Sequence, residues 1–388
     1  MFPDLSYFLH YVFGTQPDNW TAIFKTFGLF LGISFFASAY ILYIEFKRKE
    51  KEGLLTPRRV KVIEGQGPSW TEGIINSLIV FFIGFKIPYI ASHFEDFKTD
   101  GAGMVFSSKG NIGIGILFLV LSIGYFLWNK NKAKQNVKKE VFKNLYPHQR
   151  VGDITVVAAI FGILGSRLFS IFENMESFFR DPLGQLFSGS GLTIYGGLIL
   201  AFIAVYYYVK KNGIPPIHVM DAVAPALIVG YGVGRLGCQF SGDGDWGIVN
   251  ELAKPGWFFL PDWLWSYSYP HNVLNEGIPI VGCEFIHCSE LSPGVFPTPI
   301  YETFFCLLIF LILWALRKRL HVAGALFFVY MILNGIERFF IEKIRVNEKY
   351  DFLGLDLSQA QYIAIAFILV GIGALVYLYK FKKKEVKT

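Results

Sequence analysis

The sequence predicts an all-α, polytopic membrane protein of about nine transmembrane helices, with its N-terminus outside and its C-terminus in the cytoplasm. Three observations predict it. Hydrophobic residues make up 53% of the 388-residue chain and charged residues only 17%, against ~25% charged in soluble proteins. Nine apolar runs of roughly 17–23 residues are each long enough to cross a ~30 Å hydrocarbon core, and lipid forces such backbones into helices. Lys and Arg crowd the connections on one side of those runs, which marks the cytoplasmic side.

The first run, 24–46, leads into connection 47–70, which carries seven Lys and Arg. Runs 71–92 and 112–129 are plain apolar apart from Lys86 and return to a second connection, 130–151, with seven more. They read as an accessory helical hairpin inserted in a single integral-membrane domain that takes in 1–388. Runs 152–174 and 191–209 end at 210–215, with two cations, and run 216–237 climbs to the external segment 238–299. Runs 300–317 and 323–342 meet at a three-cation turn, and 359–380 ends in a tail with five, counted with Lys380. Only Lys25, Lys98, Lys109, Arg180, Lys254, Lys343, Arg345 and Lys349 fall on the other side. The net charge of +6 is this asymmetry facing anionic headgroups and calls for no nucleic-acid partner. The N-terminus lacks a basic stretch and a small-residue cleavage site, so it reads as retained.

Segment 238–299 carries the run WFFLPDWLWSYSYP, the composition of an interfacial aromatic belt, and reads as an extracytoplasmic loop or lid. Cys283 and Cys288 within it are close enough for a small disulfide loop, which an exported segment permits. With His287 they are an incomplete metal set without zinc-finger spacing, so the reading calls for no metal and no cofactor.

Four cations interrupt the spans: Lys86, Arg167, Arg235 and Arg338. A charge at the bilayer centre costs about 2.5–3.5 kcal/mol on insertion scales and needs a partner or a task. Lys86 fits a snorkelling or structurally partnered ammonium. The arginines lie in GILGSRLF, GYGVGRLGCQF and NGIERFFIEKIR, and glycine-rich backbone beside a guanidinium suits a bidentate phosphate contact. Arg235 precedes Asp243 and Asp245 in a loop where the span surfaces. Arg338, Glu342 and Arg345, spaced by four and three, would share one helix face. In LTIYGGLIL, Tyr195 precedes Gly196 and Gly197 in the outer half of a span. Tyr301 and Glu302 open another, and Glu302 needs a distant partner, for which Arg235 or Arg338 would serve.

In this order the segments resemble the bacterial prolipoprotein diacylglyceryl transferase family. Gly234–Gly247 resembles its hallmark GRxGNFxNGExWG, Tyr195–Leu198 its HGGL motif, Pro297–Glu302 its PxQLYE motif, and Asn334–Arg345 its YGxFRxxxExxR helix. Gly165–Leu183, Asp221–Pro225 and Gln361 match further family positions. The resemblance covers about 24–46 and 150–380 and leaves out the hairpin at 71–129, which reconciles nine spans with the family's seven.

The resemblance implies a transferase of the bacterial cytoplasmic (inner) membrane. Its substrates would be phosphatidylglycerol, among membrane lipids, and a prolipoprotein signal peptide with a lipobox cysteine. The diacylglyceryl group moves to the substrate thiol, a thioether forms and glycerol phosphate leaves. It implies catalytic roles for Arg235 and Arg338 and for the position of Tyr195; as tyrosine is a poor base at neutral pH, either that role is positional or another residue takes the proton, Asp243 and Asp245 being the nearest candidates. Arg235 with Gly196, Gly197, Arg167, Tyr301, Glu302, Glu342 and Arg345 would bind substrate. The sequence departs from the family in Tyr195, where histidine is common, in Cys238, where asparagine stands, and in a hallmark loop one residue longer with aspartates for its glutamate. The competing readings are a lipid or anion transporter using the same arginines, and a catalytically silent phosphatidylglycerol-binding relative.

Overall fold

In the computed structural model the described residues are all of 1–388 except 65–66, 100, 135–138, 181, 183–192, 348, 353–354 and 382–388. The lysines of the tail beyond Phe381, the end of the Gly165–Leu183 match and part of the basic linker after Lys134 lie outside them. The long helices are α1 (Leu5–Phe13), α2 (Thr26–Lys51), α3 (Trp70–Ser92), α4 (Ile112–Lys134), α5 (Val151–Glu173), α6 (Ile194–Lys211), α7 (Pro216–Ser241), α8 (Thr298–Leu316), α9 (Ala325–Ile341) and α10 (Gln359–Phe381). The chain is thus a mostly helical, multi-pass membrane protein.

Every apolar run of the sequence forms a helix. Among the described residues seven helices are long and apolar enough to cross a membrane. The other two runs form shorter helices, α6 with 18 residues and α9 with 17. The described residues also form three antiparallel two-stranded ladders: β1 (Arg58–Glu64) with β2 (Lys139–Leu145), β3 (Ile278–Pro279) with β4 (Ser289–Glu290), and β5 (Lys349–Phe352) with β6 (Leu355–Ser358).

The described residues form two compact units, 1–56 with 150–155 and 209–388, and 57–149 with 156–208. In the second unit α3 packs along α4, and β1 pairs with β2 from Arg58 opposite Leu145 to Glu64 opposite Lys139, closing the base of the hairpin. Lys86 is buried there, and its ammonium donates to the carbonyls of Met104 (3.0 Å), Ser107 (2.5 Å) and Lys109 (2.9 Å) and to the Ser107 hydroxyl (3.1 Å). Three carbonyls around one ammonium satisfy the charge without a carboxylate, so this intramembrane cation is structural.

In the first unit α7 packs against α2 and α8, and α9 against α10. One end of this bundle is held by Glu45, which is fully buried and ion-paired with Arg48 (2.7 Å) and Arg317. Beside it Asp221 faces Lys49 at 3.8 Å and accepts from the N–H groups of Gly324 (2.8 Å) and Phe327 (3.2 Å), capping the start of α9. Ser358 and Gln361 bond each other's backbone N–H at the start of α10, a reciprocal cap. Segment 242–297 folds around Trp246, Tyr269 and Val295, and Cys283 is disulfide-bonded to Cys288.

Candidate functional site

α7 starts with a proline at its first position, where no N–H is needed, and ends at Ser241. Gly242 follows with φ 65°, left-handed backbone that favours glycine, and its N–H bonds the Cys238 carbonyl at 3.0 Å. The turn throws Asp243–Gly247 back over the helix end. Three bonds pin that loop: the Thr298 hydroxyl donates to the Asp245 carbonyl (2.8 Å), Gly247 N–H to Phe296 (2.8 Å) and Ile248 N–H to Ile344 (2.9 Å).

The cluster forms around Glu302, in the second turn of α8 and 0% exposed. Arg235 Nε lies 2.5 Å from its Oε2, Arg345 Nη1 2.9 Å from its Oε1 and Arg338 Nη1 3.8 Å from its Oε2, and the Tyr231 hydroxyl donates to it as well. Asp245 bridges two of the guanidiniums, with Oδ2 toward Arg235 and Oδ1 toward Arg345. Arg338 Nη2 faces Glu342 at 3.0 Å, and the Asn347 amide donates to the same carboxylate. Three guanidiniums therefore match three carboxylates, Asp245, Glu302 and Glu342.

The expected stripe of Arg338, Glu342 and Arg345 on one helix face needs correction. α9 stops at Ile341, Glu342–Ile344 tighten into a 3-10 turn, and Arg345 is extended, with its backbone bridged to Gly247. The bridge turns Arg345 inward, into contact with both Asp245 and Glu302. Tyr301 points elsewhere, donating its hydroxyl to the Leu264 carbonyl.

The two loop aspartates differ. Burial raises the Asp245 carboxyl, but Arg235 and Arg345 outweigh it and bring it down to about 2. For Asp243 burial comes first and the neighbouring Asp245 charge second, and together they hold it above the usual carboxylate range. The donor atoms of Cys238, Asp243 and Asp245 lie within 4.8 Å of one another. Both Asp245 oxygens already face guanidiniums, which do there what a cation would do.

Arg167, Tyr195, Gly196 and Gly197 belong to the second unit, where α5 and α6 cross. A Cβ on Gly196 would strike Phe169 and the Gly165 carbonyl, and one on Gly165 would strike the Gly196 carbonyl, so the crossing requires glycine on both helices. Thr193, just before α6, donates to Glu173 at 2.7 Å and to the Ser166 carbonyl at 3.2 Å.

Sequence reasoning passed over Tyr231 and Glu337. Tyr231 lies four residues before Arg235 on α7, a spacing that puts both on one face. Glu337 is an acid inside an apolar helix, the same signal that singled out the arginines.

A multi-pass helical protein with an arginine–carboxylate cluster drawn from α7, α8 and the end of α9 is the class that fold and site define. The chain belongs to the prolipoprotein diacylglyceryl transferase family, whose profile matches residues 114–377. That match begins inside α4, the second helix of the hairpin, and so takes in part of the region read as an insertion. The phosphatidylglycerol–prolipoprotein diacylglyceryl transferase of Staphylococcus carnosus (strain TM300) is 30% identical over 286 residues, 71% of this chain and 88% of the relative. Those of Lysinibacillus sphaericus (strain C3-41) and Staphylococcus aureus (strain Newman) are each 28% identical, over 62% and 69% of this chain and 81% and 82% of the relatives.

Proposed function

We propose that the chain transfers the sn-1,2-diacylglyceryl group of phosphatidylglycerol to the thiol of a lipobox cysteine in prolipoproteins, in the bacterial cytoplasmic membrane. The observation that carries this reading is the convergence of Arg235, Arg338 and Arg345 on the buried Glu302, at the end of the spans where a lipid headgroup lies. Nine spans, an external N-terminus, a cytoplasmic C-terminus, an accessory hairpin at 71–129 and a lid at 238–299 complete the proposal.

In the transfer the thiol S–H bond breaks, sulfur bonds the glyceryl carbon, and the C–O bond to phosphate breaks with its electron pair leaving on oxygen. Charge grows on the departing glycerol phosphate, and guanidiniums fixed in advance stabilise it. Arg338 is the guanidinium an anion meets first. Its side chain is 21% exposed, against 8% for Arg235 and 9% for Arg345. Arg235 and Arg345 become available as the phosphate takes the place of Asp245, the one carboxylate of the cluster that is a third exposed. Asp243, held above the ordinary carboxylate range, suits acceptance of the thiol proton better than Asp245, which its two arginines make a weak base. For Tyr195 and Arg167 the family resemblance implies positioning roles. Incubating purified protein with phosphatidylglycerol labelled in its diacylglyceryl part and a lipobox peptide tests the reading. Thioether-linked label on the peptide supports it, and label that only crosses the membrane returns the transporter.

A further inference from the structure

α1, with the sequence LSYFLHYVF, contains no Asp, Glu, Lys or Arg, and its two sides differ. Asp4 caps it, accepting from the Ser6 N–H at 3.0 Å and pairing with Lys25 at 3.3 Å. On one side Ser6 and Tyr7 are buried against protein. The Tyr7 hydroxyl accepts from the His287 N–H at 3.0 Å, and its ring lies 6.0 Å from that of Phe285. Asp18, just past the helix, accepts from the Ile286 N–H at 3.0 Å. The loop closed by the Cys283–Cys288 disulfide therefore stands on α1. On the other side Phe8, Tyr11 and Val12 are 44%, 77% and 48% exposed. Three and four residues apart, they form one apolar stripe.

An exposed apolar stripe marks a partner surface, and the contacts of α1 identify the partner. The Leu5 N–H bonds the Phe24 carbonyl at 3.0 Å and the Thr26 N–H bonds the Pro3 carbonyl at 3.1 Å, so α1 starts where the membrane-crossing α2 starts. Phe2 packs on Phe8 and Tyr11, with ring centroids 5.6 and 5.7 Å apart, and on Phe240 near the end of α7 at 6.4 Å. Phe240 in turn stacks on Phe30 of α2 at 5.5 Å. A continuous row of rings thus runs from the stripe to two membrane-crossing helices. We propose that α1 is an interfacial helix that inserts Phe8, Tyr11 and Val12 into the leaflet at which α2 begins and α7 ends. Its partner is the glycerol and upper acyl region of phospholipid. A free interfacial helix turns a charged face to water, whereas protein covers that face of α1, so it needs no lysines. Tyrosine suits this level because its ring is apolar and its hydroxyl reaches the headgroups. Phe240 follows Arg235 on α7 by about 7.5 Å of helix at 1.5 Å per residue, so α1 meets lipid close to the arginine cluster.

Nitroxide labels on the full-length protein, in nanodiscs of phosphatidylglycerol and phosphatidylcholine, test the seat by electron paramagnetic resonance without using activity. Labels go on Phe8→Cys, Tyr11→Cys and Val12→Cys and, as a reference, on Gln16→Cys, exposed in the loop after the helix. The native free thiols, Cys238 and Cys306, are buried, so the unsubstituted protein is the labelling blank. Oxygen concentrates in lipid and a nickel chelate stays in water. The ratio of oxygen to nickel collisions is expected to be severalfold higher at the three stripe positions than at Gln16. Nickel access at the stripe equal to that at Gln16 would overturn the proposal, because the stripe would face water. Low access to both reagents would overturn it as well, because protein, as a second copy or the external segment, would cover the stripe. If a cysteine variant does not fold, the unsubstituted protein is irradiated with a phospholipid bearing a diazirine high on its acyl chain. Photo-adducts within 5–13 are expected, and adducts confined to the membrane-crossing helices would count against the seat.

Discussion

Arg345 donates to Glu302 at 2.9 Å across 43 residues of sequence. That contact joins the turn after α9 to the second turn of α8, and Arg235 and Tyr231 of α7 reach the same carboxylate. Glu302 is the post to which three helices are tied. Glu302→Gln keeps the shape and removes the charge, leaving buried guanidiniums without their shared counter-ion. Breaking a buried ion pair costs about 3–5 kcal/mol. We expect a thermal midpoint lower by several degrees and transfer reduced at least 100-fold, read by thermal unfolding in detergent and by the labelling assay.

Arg235 engages Glu302 through Nε and Asp245 through Nη1. Lysine has a single point charge and cannot span both. Arg235→Ala is expected to abolish transfer and Arg235→Lys to leave about 1% or less. Near-normal turnover of the lysine variant would show that any cation suffices there.

Asp245 has its pKa lowered from 3.8 to about 2 by Arg235 and Arg345. Its contribution to stability is complete above about pH 4 and is lost only as pH falls through about 2. Asp243 is shifted the other way, so a rate that needs it as a base rises with pH through a limb above the ordinary carboxylate range. Asp243→Asn should lower transfer and erase that limb, whereas Asp245→Asn should lower transfer and keep it. A pH–rate series on both variants separates the roles, and an unchanged limb in Asp243→Asn would remove it as the base.

No enzyme thiol is required when the substrate supplies the nucleophile. Replacing Cys238, Cys283, Cys288 and Cys306 together by Ala or Ser should leave transfer in place. Loss of the Cys283–Cys288 loop, with its sequence separation of 5, costs about 2 kcal/mol on the chain-entropy estimate. A folded quadruple variant without transfer would contradict the substrate-thiol mechanism.

Tyr195→Phe removes one hydroxyl from the residue before the α5–α6 glycine crossing. A hydrogen bond to a charged group is worth about 1.5–3 kcal/mol, so we expect a roughly 10- to 150-fold slower transfer and near-normal activity in Tyr195→His. A dead Phe variant, with a wild-type rate that climbs toward pH 10, would make the phenol itself the base.

The sequence by itself determined the class of fold and where the chemistry-bearing residues stand along the chain. Length and apolarity are local properties, so all nine runs could be read as helices. A guanidinium in an apolar helix is costly wherever the helix goes, which marked Arg235 and Arg338 before any contact was known. What only the tertiary structure decided were the partners and the directions of side chains. Arg345 follows Arg338 by seven residues and reads as its helical neighbour, but the bridge to Gly247 unwinds that turn and aims Arg345 at Asp245 and Glu302. Asp243 and Asp245 look equivalent in sequence, and only the loop geometry gives one of them two guanidiniums and leaves the other buried beside a charge. Glu337 drew no attention because the i, i+4 spacing pointed to Glu342 as the partner of Arg338, and in the fold Glu342 does hold that arginine. Such choices depend on groups tens to hundreds of residues apart in sequence, and ion pairing in a low-dielectric interior is decided by distances of a few ångströms that spacing along a chain does not encode.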